Sequence, residues 1–442
     1  MSLPPEYSTS EEYFEDCMSF LSNYRDLYCR SNTDVLTESL DFHVQLSNHD
    51  AMDSSENCLN TFSQRFFKDL ARLSPYYESF SSNGSEDTEQ SHVQTRMSKK
   101  KAHEVVHLTE EIKNVCRIAD CGTVVDLGAG LGYIDYQIFL ETRFNVLGLE
   151  GNESLYVNAK EHQRKHHRDS LDKVKYIRHL VSEISDTNIG SYLKEKFPNE
   201  EKGFCFMGLH ACGDLTVSAM KLFLKMADSR ALVVTPCCYH KMAPELNNLN
   251  GFKNFPLSEM LKEIYRKNEA HTFLSIPFLR VAAQPAHVRN ENIENRVFYL
   301  LARALLKVYA KKYNCVLQKK RRKPVNLPKK DFAKYAEQAA SKGFRLIPVP
   351  ELANTELSDE GKEIPFNLDE LKSMWDNIPK TTFTDAALYI SFQNHLTPIF
   401  ENFILYDRLV YLKEQGVESC HYKKVVNENI SPKCLSLIAT KI

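Results

Sequence analysis

The sequence contains no run of about 18 apolar residues, so no segment is built to cross a bilayer as a single helix. Its N-terminus carries Glu11, Glu12, Glu15 and Asp16 where a secretory leader needs a basic start and an apolar core. The expected location is therefore the cytoplasm, the nucleus or both. Excess charge of one sign is missing too: Lys+Arg 56 against Asp+Glu 58 gives a formal net charge of −2. That excludes a histone-like binder and confines any nucleic-acid footprint to local patches. Cysteine, 12 in 442 residues, is too sparse for a disulfide scaffold, and the adjacent Cys237 and Cys238 could pair with each other only under strain. Reduced thiols are expected. Whole-chain disorder is excluded, because 43% hydrophobic and 26% charged residues are near globular averages.

The chain reads as four stretches. Residues 1–95 form an N-terminal helical and partly flexible region: Phe14, Met18 and Leu21 stand at helical spacing within Glu11 to Leu27, and Ser81 to Asp87 has nothing to bury. Residues 96–245 alternate short β-branched runs (Thr123–Leu127, Asn145–Glu150, Val174–Val181, Phe204–Leu209, Ala231–Thr235) with helix-length segments. This is the pattern of a parallel sheet with right-handed crossovers. Residues 246–396 read as a helical insertion, with Val297, Leu300, Leu301, Ala304, Leu305 and Val308 along one stripe. In 397–442 an amphipathic helix over Ile399–Glu414 precedes two further strands, His421–Val426 and Leu435–Thr440, which return to complete the sheet. The fold class is α/β, a Rossmann-like seven-stranded sheet.

Asp126-Leu127-Gly128-Ala129-Gly130-Leu131-Gly132 sets an acid at the end of an apolar strand, followed by alternating glycines and a helix. Such glycines let backbone approach a ligand closely, and their spacing selects the ligand. A dinucleotide fingerprint needs its third glycine three positions after the second, where this chain has Tyr133. The loop instead matches the Asp-x-Gly-x-Gly-x-Gly loop of S-adenosylmethionine-dependent methyltransferases. Glu150, 24 residues after Asp126 at the end of the next strand, is placed to accept both ribose hydroxyls. A structural glycine turn in another α/β fold and nicotinamide binding remain as alternatives.

Two other strand ends carry unusual chemistry, His210-Ala211-Cys212-Gly213-Asp214 and Cys237-Cys238-Tyr239-His240. Ligands of an open parallel sheet bind outside the carboxyl ends of its strands, so both segments should face the cofactor's methyl group. The favoured reading is a metal-free pocket, in which His210 serves as base or acceptor-orienting group and Cys212, Cys237, Cys238 and His240 line the acceptor side; Asp214 is expected to cap the following helix. A tetrahedral zinc site drawn from the same residues and simple packing of small thiols are the alternatives. The Asn/Asp-Pro-Pro-aromatic motif common in adenine-amine methylation is absent, which disfavours that reaction.

Together the glycine loop, Gly208 to Thr216, Pro236 to His240, Met97 to Glu104 and Leu405 to Glu414 resemble the methyltransferase-like protein 25 family, also labelled ribosomal RNA adenine dimethylase domain-containing proteins. Over about 120–240 the motifs also resemble the transfer RNA acceptor-stem 2′-O-methyltransferase family. The resemblance implies a class I S-adenosylmethionine methyltransferase fold with S-adenosylmethionine as cofactor; RNA as acceptor class is suggested by the second likeness alone, the first carrying no substrate over. Lys100, Lys101 and His103, ahead of the first strand, are expected to close over the methionine carboxylate. Lys319-Lys320-Arg321-Arg322-Lys323 with Lys329-Lys330, and Lys99 to Lys101, are the candidate phosphate contacts, though such runs are often solvated loops. A cofactor-binding pseudoenzyme or interaction module, and a protein methyltransferase, are the rival functions.

Overall fold

The computed structural model describes residues 3–36, 55–81, 97–245, 251–267, 274–285, 293–320, 330–349 and 363–441. The chain divides into two units. One comprises Met1–Asn23, Arg72–His287 and Thr397–Ile442; the other comprises Tyr24–Ala71 and Val288–Leu396. Residues 24–71 thus fall in the second unit, apart from the rest of the N-terminal region, and 246–287 fall in the first. Of the run Ser81 to Asp87, only Ser81 lies within the described residues.

The first unit is built on seven strands: β1 (Cys121–Leu127), β2 (Asn145–Glu150), β3 (Val174–Arg178), β4 (Gly203–Cys212), β5 (Ser229–Cys237), β8 (Cys420–Lys424) and β9 (Leu435–Thr440), with β6 (Cys315–Lys319) and β7 (Phe344–Pro348) belonging to the second unit. Their order is β3-β2-β1-β4-β5-β9-β8. β1 to β5 are parallel, and β9 runs antiparallel between β5 and β8. This is the Rossmann-like sheet of the class I methyltransferases, and residues 421–440 complete it as expected.

The helix Lys99–Ile118 starts at Ser98, whose hydroxyl accepts the Lys101 N–H at 3.2 Å. Its Val105, Leu108, Ile112 and Val115 recur at helical spacing and pack on Val124, Val146, Val174, Cys205 and Val233 of one sheet face. The helix Leu215–Lys225 packs against β4 and β5.

Two elements differ from their sequence reading. The last helix runs Lys380–Glu414, and from Ile399 to Val410 it is buried on every side instead of being amphipathic. Its acidic residues explain this, because they find partners inside the protein. Asp407 accepts the Leu257 and Ser258 N–H groups at 2.7 and 2.9 Å and the Ser258 hydroxyl at 2.7 Å, and Glu414 accepts the next two N–H groups. Together they cap the start of the helix Glu259–Lys267.

The second difference is that the insertion, read as mostly helical, also holds a strand pair that the sequence reading did not place. β6 and β7 form an antiparallel pair, which packs with the helices Ile293–Lys312, Phe332–Gln338 and Leu368–Asp376 around Phe298, Leu305, Tyr309, Phe332 and Leu346. Only Cys315 of β6 and Phe344 and Leu346 of β7 are buried, so neither strand shows sustained apolar alternation.

Candidate functional site

The carboxyl ends of β1 to β5 border a cleft of about 710 Å³, walled by Gly128, Glu150, Leu180, Cys212, Asp214 and Lys241 among others. The glycine loop shapes one wall. Gly128 and Ala129 donate to the Leu149 carbonyl at 2.9 and 3.1 Å, which folds the loop over the end of β2. Gly130 sits at φ +60°, and a Cβ built on it meets nothing within 4 Å, so it faces open space. Gly132, at φ +74°, has the opposite reason for lacking a side chain: a Cβ there would lie 1.9 Å from the Tyr176 hydroxyl. Glu150 receives the Gly130 N–H at 2.9 Å and the Asn152 N–H at 2.8 Å, one on each carboxylate oxygen. Each oxygen keeps acceptor capacity toward the cleft. Leu180, just past β3, lies on the wall with 82% of its surface exposed.

Asp126 does not line the cleft. It is buried beneath the loop, facing Asp135 on the helix Tyr133–Thr142. Burial first, then the neighbouring acid, pushes Asp126 well above the usual carboxylate range, and burial lifts Asp135 to about 6. Lys101 is the nearby cation; burial lowers its pKa, while Glu104, Asp126 and Asp135 oppose that shift. Lys100 is exposed, with its ammonium 3.5 Å from Glu104. His103 is committed to the fold: it is buried, its Nε2 accepts the Asn427 N–H at 3.0 Å, and its ring packs against His107 and Phe80. Like Lys100 and Lys101, it is not among the residues that wall the cleft, and its Nε2 is taken by the connection between the last two strands.

β4 runs three residues past its expected end and is bulged. Gly208 pairs with Val234 and Ala211 with Pro236, so one extra residue is inserted on β4, and His210 adopts φ +64° there. A bulge redirects a side chain. Here it sends the His210 Nε2 to the Glu104 carboxylate at 3.2 Å, which leaves Nδ1 as the nitrogen able to take a proton. Glu104 is almost fully buried and also accepts the Ser431 hydroxyl at 2.6 Å. Burial opposes its charge, yet the His210 and Ser431 hydrogen bonds and the Lys100 ammonium hold its carboxyl at about 2.

The sequence reading missed Glu104 as a site residue. The only trace was its place at the end of Met97 to Glu104, one of the segments carrying the family resemblance. Asp214 stands at the N-cap position ahead of the helix Leu215–Lys225, as expected, but its side chain makes no capping hydrogen bond. It binds the Ala243 N–H at 2.7 Å and the Asn254 amide at 2.9 Å instead, tying the segment after β5 to the cleft wall.

Of the four residues expected around the acceptor, Cys212 walls the cleft, whereas Cys237, Cys238 and His240 are not among its lining residues. Cys212 is held low, at about 6, chiefly by hydrogen bonding from Cys237, which is itself pushed up. His240 is half-buried and its pKa is lowered by that burial. Tyr239 anchors the segment, donating to Glu401 at 2.7 Å between the Arg408 and Lys433 cations. All cysteines in the described residues are free thiols. Among the described residues no helix is long and apolar enough to cross a membrane.

Of the basic run, 321–329 lies outside the described residues, while Lys320 and Lys330 are ion-paired with Glu363 and Glu294. Lys99 and Lys100 are exposed.

A methyltransferase-domain family model matches residues 100–245. Among curated proteins, the mouse protein named probable methyltransferase-like protein 25 is 27% identical over 245 residues, 54% of this chain and 37% of the relative. Its human counterpart is 26% identical over 322 residues, 68% and 48%. The chain therefore spans less than half the length of these relatives. Similar solved structures include geranyl diphosphate methyltransferase in complex with geranyl diphosphate and sinefungin (10% identity, 73% of this chain and 89% of that one, TM-score 0.22). Another is coclaurine N-methyltransferase bound to N-methylheliamine and S-adenosylhomocysteine (12%, 88% and 95%, TM-score 0.23). The fold assignment rests on the strand order, which needs no support from such low scores. The chain is thus similar to proteins named probable methyltransferase-like protein 25, and its residues 100–245 match a methyltransferase domain.

Proposed function

We propose that this protein is an S-adenosylmethionine-dependent methyltransferase whose acceptor is an RNA hydroxyl. The observation that carries the cofactor reading is the Glu150 carboxylate, which walls the cleft and at the same time holds the Gly130 N–H of the open glycine loop. The residues present fit the cofactor. Glu150 keeps acceptor capacity for ribose hydroxyls, Leu180 offers an apolar wall to a planar base, and the volume lies within the usual range for small-molecule sites.

When bound, S-adenosylmethionine supplies an electrophilic methyl group. The chain's own part is to hold the acceptor in line and to receive its proton. His210 Nδ1 takes that proton, and Glu104 orients the ring through Nε2 and stabilises the charge that develops on it. The RNA reading is supported by the His-x-Cys-Gly and Cys-Cys-x-His resemblance and by the exposed Lys99 and Lys100 beside the site.

The test is turnover with tritiated cofactor and cell extract, fractionated into RNA, protein and small molecules. Label in RNA supports the proposal. Label confined to protein or small molecules overturns the acceptor. No label, together with intact S-adenosylhomocysteine binding, makes the chain a binding module.

A further inference from the structure

The thiols at the ends of β4 and β5 do more than fill space. Cys212 and Cys237 are register partners on adjacent strands, so their side chains share a face of the sheet, and their sulfurs are 3.1 Å apart. The next residue along a regular strand would point to the opposite face. Cys238 escapes that rule because its backbone turns left-handed, at φ +49°. As a result the sulfurs of Cys212, Cys237 and Cys238 all lie within 4.8 Å of one another. A non-glycine residue held at positive φ is a constraint that thiol packing alone does not call for. Cys205, fully buried in the sheet core, packs without it.

We propose that Cys212, Cys237 and Cys238 form a binding site for Zn²⁺, with three thiolates from the protein and the fourth position open. Zinc–sulfur bonds of about 2.3 Å in a tetrahedral arrangement place sulfurs about 3.8 Å apart, and the observed cluster brackets that spacing. His210 and His240 stand outside the cluster, so the ligand set is not a closed Cys₂His₂ structural site. Three protein ligands and an open position are the arrangement of zinc sites that take up water or a substrate atom. Cys212 itself walls the cleft. A disulfide between Cys212 and Cys237 is the competing use of the close pair, but it leaves the turned Cys238 without a purpose. Each thiol gives up its proton when it binds, so zinc affinity should fall as the pH drops. The inference does not depend on methyl transfer, since metal content is read without cofactor or acceptor.

The experiment uses the full chain, reduced, stripped with a chelator and titrated with Zn²⁺ against a chromophoric chelator. A parallel titration with Co²⁺ follows the thiolate-to-cobalt absorption in the near ultraviolet. The expected result is one Zn²⁺ per chain in wild type and in Cys29→Ser, a thiol outside the cluster. Cys212→Ser and Cys238→Ala should each lower the affinity by more than about 100-fold, beyond the loss of a supporting contact. Circular dichroism checks that they fold; Cys238→Ala, at a half-buried position, carries the test if Cys212→Ser does not. Absence of stoichiometric metal from the reduced wild type, retention of metal by the folded variants, or a mapped Cys212–Cys237 disulfide without zinc affinity would overturn the proposal. S-adenosylhomocysteine calorimetry on the same samples reports separately on the cofactor reading.

Discussion

Glu104→Gln isolates one charge in one place, and the structure sets its scale. The carboxylate is nearly inaccessible and accepts from His210 and Ser431, which come from the end of β4 and from the connection between the last two strands. Its pKa falls from the ordinary 4.5 to about 2. At 1.36 kcal/mol per unit this corresponds to about 3 kcal/mol of preference for the charged form, an order-of-magnitude figure. Glutamine keeps the shape but not the charge, and it turns one oxygen into a donor. The expected loss of unfolding free energy at pH 7 is therefore about 1–3 kcal/mol.

The sign fixes the pH window. A carboxylate with a lowered folded-state pKa contributes stability above its unfolded value, and that contribution is lost as the pH falls through the folded value. Urea unfolding of the two proteins should show a constant gap from pH 8 to about 5 that narrows as the pH drops from 4.5 toward 2. A gap under about 0.5 kcal/mol at pH 7, the usual range for surface substitutions, or a gap that ignores pH, would refute the reasoning.

Three other outcomes are expected. Calorimetry with S-adenosylhomocysteine should show binding abolished by Gly130→Arg, which fills the open side of the loop, and weakened by about 1–3 kcal/mol in Glu150→Ala; unchanged affinity in both removes the cofactor assignment. His210→Ala should leave that affinity within a few fold and cut turnover by about 100-fold or more, measured with tritiated cofactor; normal turnover means another group takes the proton. Asp407→Ala strips a buried acceptor from three donors and should cost at least about 2 kcal/mol in urea unfolding, with a loss below half of that showing that the helix Glu259–Lys267 does not depend on this cap.

The sheet was legible in the sequence because its signals are local. β1 and β2 are mainly apolar runs with an acid at or one residue before the end, and the glycine loop follows β1 at once. The strand pair at the terminus could be placed for the same reason, with turn residues between two short runs. The site was legible only as a set of strand ends. That His210 belongs to Glu104 depends on a bulge, and a bulge is set by the pairing of β4 with β5, separated by a helix, so no window of sequence contains it. The same holds for the last helix: its buried face could be counted, but the partners of Asp407 and Glu414 lie about 150 residues earlier. Where polar residues find buried partners at long range, apolar periodicity gives the wrong exposure for the face that carries them.

Asp126 shows how a motif residue can matter without touching a ligand. As two carboxylates, Asp126 and Asp135 could only repel each other, and neither has a hydrogen to donate; with one proton held between them, the pair becomes a donor and an acceptor. Burial makes the proton the favoured solution, raising both pKa values, and the Lys101 ammonium works in the opposite direction. By linkage these acids behave as the reverse of Glu104: their raised values mean that the folded state loses stability as the pH rises from 3.8 through about 6. The base of the glycine loop therefore gains negative charge on approaching neutral pH. The pair, in which Asp126 holds the proton longer than Asp135, is a source of field under the loop, and its burial, which disqualifies Asp126 as a contact, keeps that field from being screened by water.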